Sequence, residues 1–391
     1  MYYKTLRDLN ICNKKILVRV DLNLPTVNGK VTDVTRIKAI VPTINYIISN
    51  NGTPILMSHY GRPKGKYVES LSLKYIIPSL ESVLNKSIIL LNNPKKEDLK
   101  GIKTDKIVLL ENLRFNPGEE QNDISFSQKL ADLGDFYVND AFSASHRSHS
   151  STDGLAKLLP SFMGFSMEAE LKALGALFQK PTLPLTAIIG GSKISSKLDL
   201  INNLIKKVDH LIVGGGMANT FLKAQNFEIG KSLNEKHMNH TAKLILENAK
   251  SIGCKVHLPH DLVTANDPND TMSVTLNVNQ CPENKMILDA GPATIKNIES
   301  VLLNSKTLLW NGPLGAFEFK PYDSATNKIA SFVAKLTKAE KIISVAGGGD
   351  TIAALNQTHS AKKFTYVSTA GGAFLEWLEG KSLPGLEALS V

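Results

Sequence analysis

The feature that most constrains this chain is a rhythm in which short aliphatic runs alternate with longer segments of helical period. In the first part ILVRV (16–20), PILMS (54–58), KIVLL (106–110) and DFYVN (135–139) read as buried strands. Between them TRIKAIVPTINYIISN (35–50) and SLKYIIPSLESVLN (72–85) carry a helical pattern. The second part repeats the arrangement with LTAIIGG (185–191), HLIVGGG (210–216), KTLLWNG (306–312), IISVAGGG (342–349) and FTYVSTAGG (364–372). Strand alternating with helix predicts parallel βα units, and 391 residues at 42% hydrophobic composition can bury two cores. The expected fold is therefore α/β, with two doubly wound parallel sheets. A loop with Pro160 and Gly164 leads into the helical stretch LPSFMGFSMEAELKALGAL (159–177), which marks the expected boundary.

Charge narrows the function. The formal net charge of +9 suits either a nucleic-acid surface or pockets for small anions. Its distribution favours pockets: the arginines are Arg7, Arg19, Arg36, Arg62, Arg114 and Arg147, with none thereafter. Lysine pairs such as Lys206-Lys207 and Lys362-Lys363 read as solvated surface, with no basic block interleaved with aromatics. Cys12, Cys254 and Cys281 show no CxxC or Cys/His zinc spacing, which fits a reducing cytoplasm. No apolar run of membrane-spanning length and no signal peptide are read, so a soluble protein is expected.

In open parallel sheets ligands bind beyond the carboxyl ends of the strands. In the first half those positions hold Asp21 and Asn23, then His59 and Arg62, Arg114, and Arg147, with Arg36 at the entrance to the first helix. Four arginines so placed could converge on one phosphate or carboxylate, which guanidinium binds in bidentate fashion. In the second half the same positions are glycine, where backbone amides and helix N-termini can approach phosphate. The dinucleotide pattern GxGxxG fails, with Ile352 after Gly347 and Gly349 and Asn219 after Gly214 and Gly216, and GxxxxGK[ST] does not occur. In IIGGSKISSKLDL (188–200) a helix starting near Ser192 would put Lys193 and Lys197 on one face over its first turn. Asp350, an acid inside a glycine loop, would need a magnesium ion between it and phosphate.

Together these motifs resemble the phosphoglycerate kinase family. VRVDLNLP, TDVTRI, SHYGRP, ENLRF, DAFSASHRSH, GGSKISSKL, VGGGMANTFL, WNGPLGAFE, AGGGDT and STAGGAFLEWLEGKSLPG occur in the family's order from about residue 16 to the C-terminus. The resemblance implies a cytoplasmic monomer of two domains facing each other across a cleft and joined by an interdomain helix. The first, 1–165 with a returning segment of about 375–391, would bind 3-phosphoglycerate or 1,3-bisphosphoglycerate; the second, 166–374, would bind MgADP or MgATP. It implies that Asp21, Asn23, Arg36, His59, Tyr60, Gly61, Arg62, Arg114 and Arg147 bind the phosphoglycerate. It also implies Gly191, Lys197, Gly215, Asn311, Pro313, Glu318, Gly347, Gly348, Gly349, Asp350 and Thr351 at the nucleotide. Asp350 would hold Mg²⁺, and Arg36 and Lys193 would flank the transferring group, with hinge closure bringing the halves together.

The chain departs from the family pattern at Leu22 (usually Phe), Ser143 (Gly), Ala370 (Gly) and Phe374 (Ser). An alanine at 370 would be costly if that residue needed positive φ. Two other classes are weighed: a nicotinamide-dependent dehydrogenase, which lacks its fingerprint here, and a basic nucleic-acid binder, which leaves the glycine loops unexplained. Neither nucleic acid nor membrane is expected as a partner.

Overall fold

A computed structural model describes residues 3–104, 106–178 and 181–390. The chain divides into two compact units, one running to Lys172 and resuming at Ser382, the other spanning Ala173–Lys381.

In the first unit the strands are β1 (Lys15–Arg19), β2 (Thr26–Val27), β3 (Lys30–Val31), β4 (Thr53–Met57), β5 (Ile88–Leu91), β6 (Ile107–Leu110), β7 (Phe136–Asn139) and β8 (Ser161–Met163). The helices are α1 (Thr35–Ser49), α2 (Ile77–Leu84), α3 (Pro117–Glu120), α4 (Ile124–Ala131), α5 (Leu155–Leu158) and the start of α6 (Phe165–Phe178). Six strands make one parallel sheet in the order β5-β6-β4-β1-β7-β8, while β2 and β3 form a small antiparallel hairpin. The chain winds outward from β1 on one side and then returns to the other, so the topological switch lies between β1 and β7. The apolar runs are buried on both faces: Ile16, Val18, Leu56, Leu109 and Val138 pack with Ile37, Ile40 and Ile44 of α1.

In the second unit the strands are β9 (Leu185–Ile189), β10 (His210–Val213), β11 (Lys255–His257), β12 (Asp261–Ala265), β13 (Val274–Asn277), β14 (Met286–Ala290), β15 (Thr307–Asn311), β16 (Ile343–Gly347) and β17 (Tyr366–Ser368). Helices α7 (Leu198–Leu204), α8 (Gly215–Ala224), α9 (Asn239–Ser251), α10 (Pro292–Asn304), α11 (Ser324–Lys338), α12 (Gly349–Gln357) and α13 (Gly372–Leu378) connect them. The parallel sheet has the order β11-β10-β9-β15-β16-β17, with its switch between β9 and β15. A separate antiparallel sheet, β13-β12-β14, has no counterpart in the sequence reading, which followed glycine-terminated runs; β13 is largely exposed and offers no buried run.

The break between units comes later than the sequence suggests, at Lys172 and Lys381 rather than at 165 and 374. Residues 375–381 stay with the second unit because α13 packs on α7: Asn203 donates to the Leu378 carbonyl, and Lys381 lies 3.5 Å from Asp199. From Ser382 onward, including α14 (Pro384–Glu387), the chain belongs to the first unit. There Gly385 donates to Ser145 O at 2.9 Å and accepts from Asn139 Nδ2 at 3.2 Å. Among the described residues no helix is long and apolar enough to cross a membrane.

Asp140, just past β7, caps α6. Its Oδ1 accepts from the amides of Ser166 (2.8 Å) and Met167 (3.1 Å), while its Oδ2 has no hydrogen-bond partner. Burial pushes its carboxyl up to about 7, against the opposing pull of the Thr43 hydroxyl and those amides. A carboxyl raised above its unfolded value binds a proton preferentially in the folded state, so folding stability falls as pH rises from about 4 to about 7. Asp140→Asn keeps the Oδ1 acceptor and cannot ionise. Relative to the parent its urea midpoint should match near pH 4 and be higher at pH 8; a difference that does not change with pH would contradict this.

Candidate active site in two halves

The site of the first unit grows from the ends of β1, β4, β6 and β7. Asp21 is a hub: its carboxylate accepts from Asn23 N (3.0 Å) and Ser143 Oγ (2.5 Å), and it pairs with Arg36 Nη1 at 3.0 Å. Arg36, in the first turn of α1, also donates to Asn23 O at 2.7 Å, and Asn23 Oδ1 accepts from Gly61 N at 3.0 Å. The serine at 143, where the family pattern has glycine, thus adds a hydroxyl donor to Asp21.

Beside this network lies a concentration of cations. Arg114 is buried, donates to Gly61 O at 2.7 Å and pairs through Nε with Glu120 at 3.1 Å. Burial first, and then the neighbouring Arg147, lower its basicity to about 10. Arg147 is lowered by burial and by Arg62 and Arg19. His59 is buried and held well below the ordinary imidazole range by burial, with Arg19, Arg114, Arg147 and His149 adding to the effect. Like charges that depress one another form a ready site for an anion. Tyr60 takes a different direction, its hydroxyl bonded to Thr26 of the hairpin at 2.6 Å, and Arg62 is exposed.

Sequence reasoning missed what lies beneath. Arg19, the last residue of β1, is 1% exposed and donates to Ser151 Oγ (2.9 Å) and Val20 O, with Nη2 2.9 Å from His59 Nδ1. Ser151 in turn donates through Oγ (2.6 Å) and N (3.1 Å) to the fully buried Glu119, whose carboxyl burial raises. In the sequence Arg19 falls inside the apolar run ILVRV, and no motif singles out Glu119.

In the second unit a cleft of about 330 Å³ opens at the switch point between β9 and β15. Gly191, Gly215, Pro313, Glu318 and Asp350 line it, together with an apolar wall of Leu233, Pro259, Met286, Leu288 and Leu314. Most of this wall comes from the antiparallel sheet and loops that sequence patterning did not single out. Asn311 and Thr351 do not line it; they are buried and tie the loops together. Asn311 Nδ2 donates to Gly347 O (2.8 Å), Thr351 Oγ1 accepts from Gly312 N (2.7 Å), and Lys197 Nζ donates to Asn311 Oδ1 (2.6 Å) and Gly190 O (2.7 Å).

The glycines divide into two kinds. Gly215, Gly349 and Gly372 open helices directly. Gly190 and Gly312 instead let two loops cross, since a Cβ at 190 would lie 1.8 Å from the Pro313 carbonyl oxygen. Gly348, with φ +98°, turns the chain from β16 into α12, leaving Gly349 and Asp350 exposed at the helix start. The helix expected near Ser192 begins only at Leu198, after a 3-10 turn at Ser195–Lys197. Lys193 therefore lies exposed in the loop, whereas Lys197 is half-buried and turned inward, and the two do not share a helical face. Positive φ falls at Gly371 and not at Ala370, so the alanine carries no backbone penalty.

A scan against protein-family models matches phosphoglycerate kinase over residues 6–381. The chain belongs to the phosphoglycerate kinase family. It is 53% identical to the phosphoglycerate kinase of Cereibacter sphaeroides and 52% identical to that of Dinoroseobacter shibae, covering all of this chain and 100% and 99% of those proteins. Among solved structures it resembles phosphoglycerate kinase from Coxiella burnetii, with a TM-score of 0.93 and 38% identity over 99% of both chains. The family makes this chain a kinase, and so a phosphotransferase.

Burial lowers the Lys197 ammonium to about 8, with Asp350 partly opposing the shift. An anion arriving beside Lys197 would restore its proton. Nucleotide binding at about pH 9 should therefore take up as much as about one proton, seen as a buffer-dependent heat in calorimetry. Lys197→Met should abolish that uptake; equal uptake in the variant would assign it elsewhere.

Proposed function

We propose that the two halves serve one reaction, reversible transfer of the acyl phosphate of 1,3-bisphosphoglycerate to ADP, giving 3-phosphoglycerate and ATP in glycolysis and gluconeogenesis. The first unit takes the phosphoglycerate and the second the nucleotide. The observation that carries this reading is the cluster of Arg19, Arg114 and Arg147 around His59, with Arg62 beside Arg147, whose mutual repulsion an anionic ligand would relieve.

The chemistry asks for positioning and charge neutralisation. The carboxyl group of 3-phosphoglycerate is the phosphoryl acceptor in the reverse direction, and the displacement is in line, with no covalent enzyme intermediate. Asp21, Asn23 and the arginines hold the phosphoglycerate; Arg36 from one unit and Lys193 from the other flank the phosphoryl group once the units close and exclude water. The turn at Gly348 and the open helix start at Gly349 let backbone amides meet the nucleotide phosphates, while Gly347 makes room for the Phe374 ring.

Magnesium fits the donor set, because Mg²⁺ is commonly held by one or two carboxylates together with substrate phosphates, and Asp350 is exposed at the rim of the cleft. When bound with nucleotide it would neutralise phosphate charge, and Lys197 and the amides of α12 would orient the same phosphates. Within this reading the protein works as a cytoplasmic monomer.

Arg147→Gln and Arg114→Gln should each weaken 3-phosphoglycerate binding about 10- to 100-fold by calorimetry, since each removes a charged hydrogen-bond donor. MgADP affinity should stay unchanged. Equal loss of both ligands, or of neither, would overturn the assignment of the two halves.

A further inference from the structure

A buried chain of four side chains runs beneath the first unit's site: Glu119, Ser151, Arg19 and His59. A guanidinium can only donate hydrogen bonds. With Arg19 Nη2 2.9 Å from His59 Nδ1, that ring nitrogen must be the acceptor, and its proton must sit on Nε2. Arg19 cannot swing aside, because its Nε is held by Ser151 and its Nη1 by the Val20 carbonyl, and the side chain is 1% exposed. Ser151 is fixed in turn by two hydrogen bonds to Glu119.

We propose that Arg19 is a positioning residue that locks His59 as the neutral Nε2–H tautomer, so that His59 offers the phosphoglycerate a hydrogen-bond donor and never a lone pair. This rests on the reading of His59 as a substrate ligand. An unlocked imidazole could present an unprotonated Nε2 to an anion, which would repel it; Arg19 removes that alternative from below. The cations facing the ring, Arg19, Arg114 and Arg147, with His149 beside them, also disfavour a second proton on it. Arg19 thus acts through His59, from a position solvent barely reaches.

The test uses the full chain labelled with ¹⁵N, observing the imidazole nitrogens by long-range proton–nitrogen correlation and assigning His59 by its loss in His59→Gln. The parent protein should show a protonated Nε2 and an unprotonated Nδ1 for His59, unchanged from about pH 5.5 to 8 where an ordinary histidine titrates. A proton on Nδ1, or a titration in that range, would overturn the proposal, and this measurement requires no folded variant. In Arg19→Met the His59 nitrogens should show mixed tautomers. The Michaelis constant for 3-phosphoglycerate should rise about tenfold, turnover changing much less, with partial recovery in Arg19→Lys. An unaltered tautomer in Arg19→Met would remove Arg19 from the role. If His59→Gln binds 3-phosphoglycerate normally while the tautomer is as described, the reading of His59 as a ligand fails and the lock itself stands.

Discussion

Replacing Arg36 with alanine is expected to lower turnover roughly 100- to 1,000-fold, the cost of losing one preorganised donor at developing phosphoryl charge. The fold should survive. Arg36 is partly exposed, and its pair with Asp21 sits where solvent screens it, so the stability lost should be at most about 1 kcal/mol. Its value lies in direction: Asp21 and the Asn23 carbonyl hold one edge of the guanidinium at 2.7–3.0 Å, fixing where the rest points. Lysine at 36 keeps the charge but loses the planar fork, so Arg36→Lys should fall between parent and alanine. Steady-state turnover beside a urea unfolding curve separates the two effects. Near-normal turnover in a folded Arg36→Ala protein would remove this residue from the mechanism.

A second large effect is expected at Phe374. Serine is the usual residue of the family pattern here, yet Phe374→Ser should destabilise this chain by about 3–5 kcal/mol, the range for emptying a buried phenylalanine site. The side chain is fully buried on α13, and its ring covers Gly347 so closely that a Cβ there would lie 2.4 Å from it. Gly347 is the last residue of β16, immediately before the turn at Gly348, and its carbonyl accepts from Asn311. The ring therefore props the loop proposed to meet the nucleotide phosphates. Loss of it should also weaken MgADP binding by loosening that loop. Denaturant midpoints and calorimetry check both parts; a Phe374→Ser protein as stable as the parent would show that the loop does not lean on the ring.

Much of this arrangement was legible beforehand, and the limits have physical causes. Runs such as ILVRV and LTAIIGG announce buried parallel strands because both faces of the sheet are covered and no alternation interrupts them. Short strands were harder: Ile88–Leu91 is only half-buried along its length, and Ser161–Met163 has three residues. Asp21, His59 and Arg114 stand out as candidates because strand ends are where parallel sheets place ligands, and Arg36 because it sits at the entrance to α1. Arg19 does not, since two residues before Asp21 its guanidinium turns inward, and only the tertiary contact with Ser151, itself bonded to Glu119, makes that tolerable. Lys193 and Lys197 show the opposite error. Four-residue spacing suggested a shared helical face, but the helix starts at Leu198, and Lys197 finds its partners across the sheet at Asn311.

The most direct measurement of the whole account is phosphoglycerate-dependent oxidation of NADH by the purified protein with ATP and Mg²⁺, coupled to excess glyceraldehyde-3-phosphate dehydrogenase. The account predicts a rate that vanishes when 3-phosphoglycerate, ATP or Mg²⁺ is left out. No rate from a folded protein that still binds MgADP would contradict it, leaving a nucleotide site without the phosphoryl acceptor assigned to it.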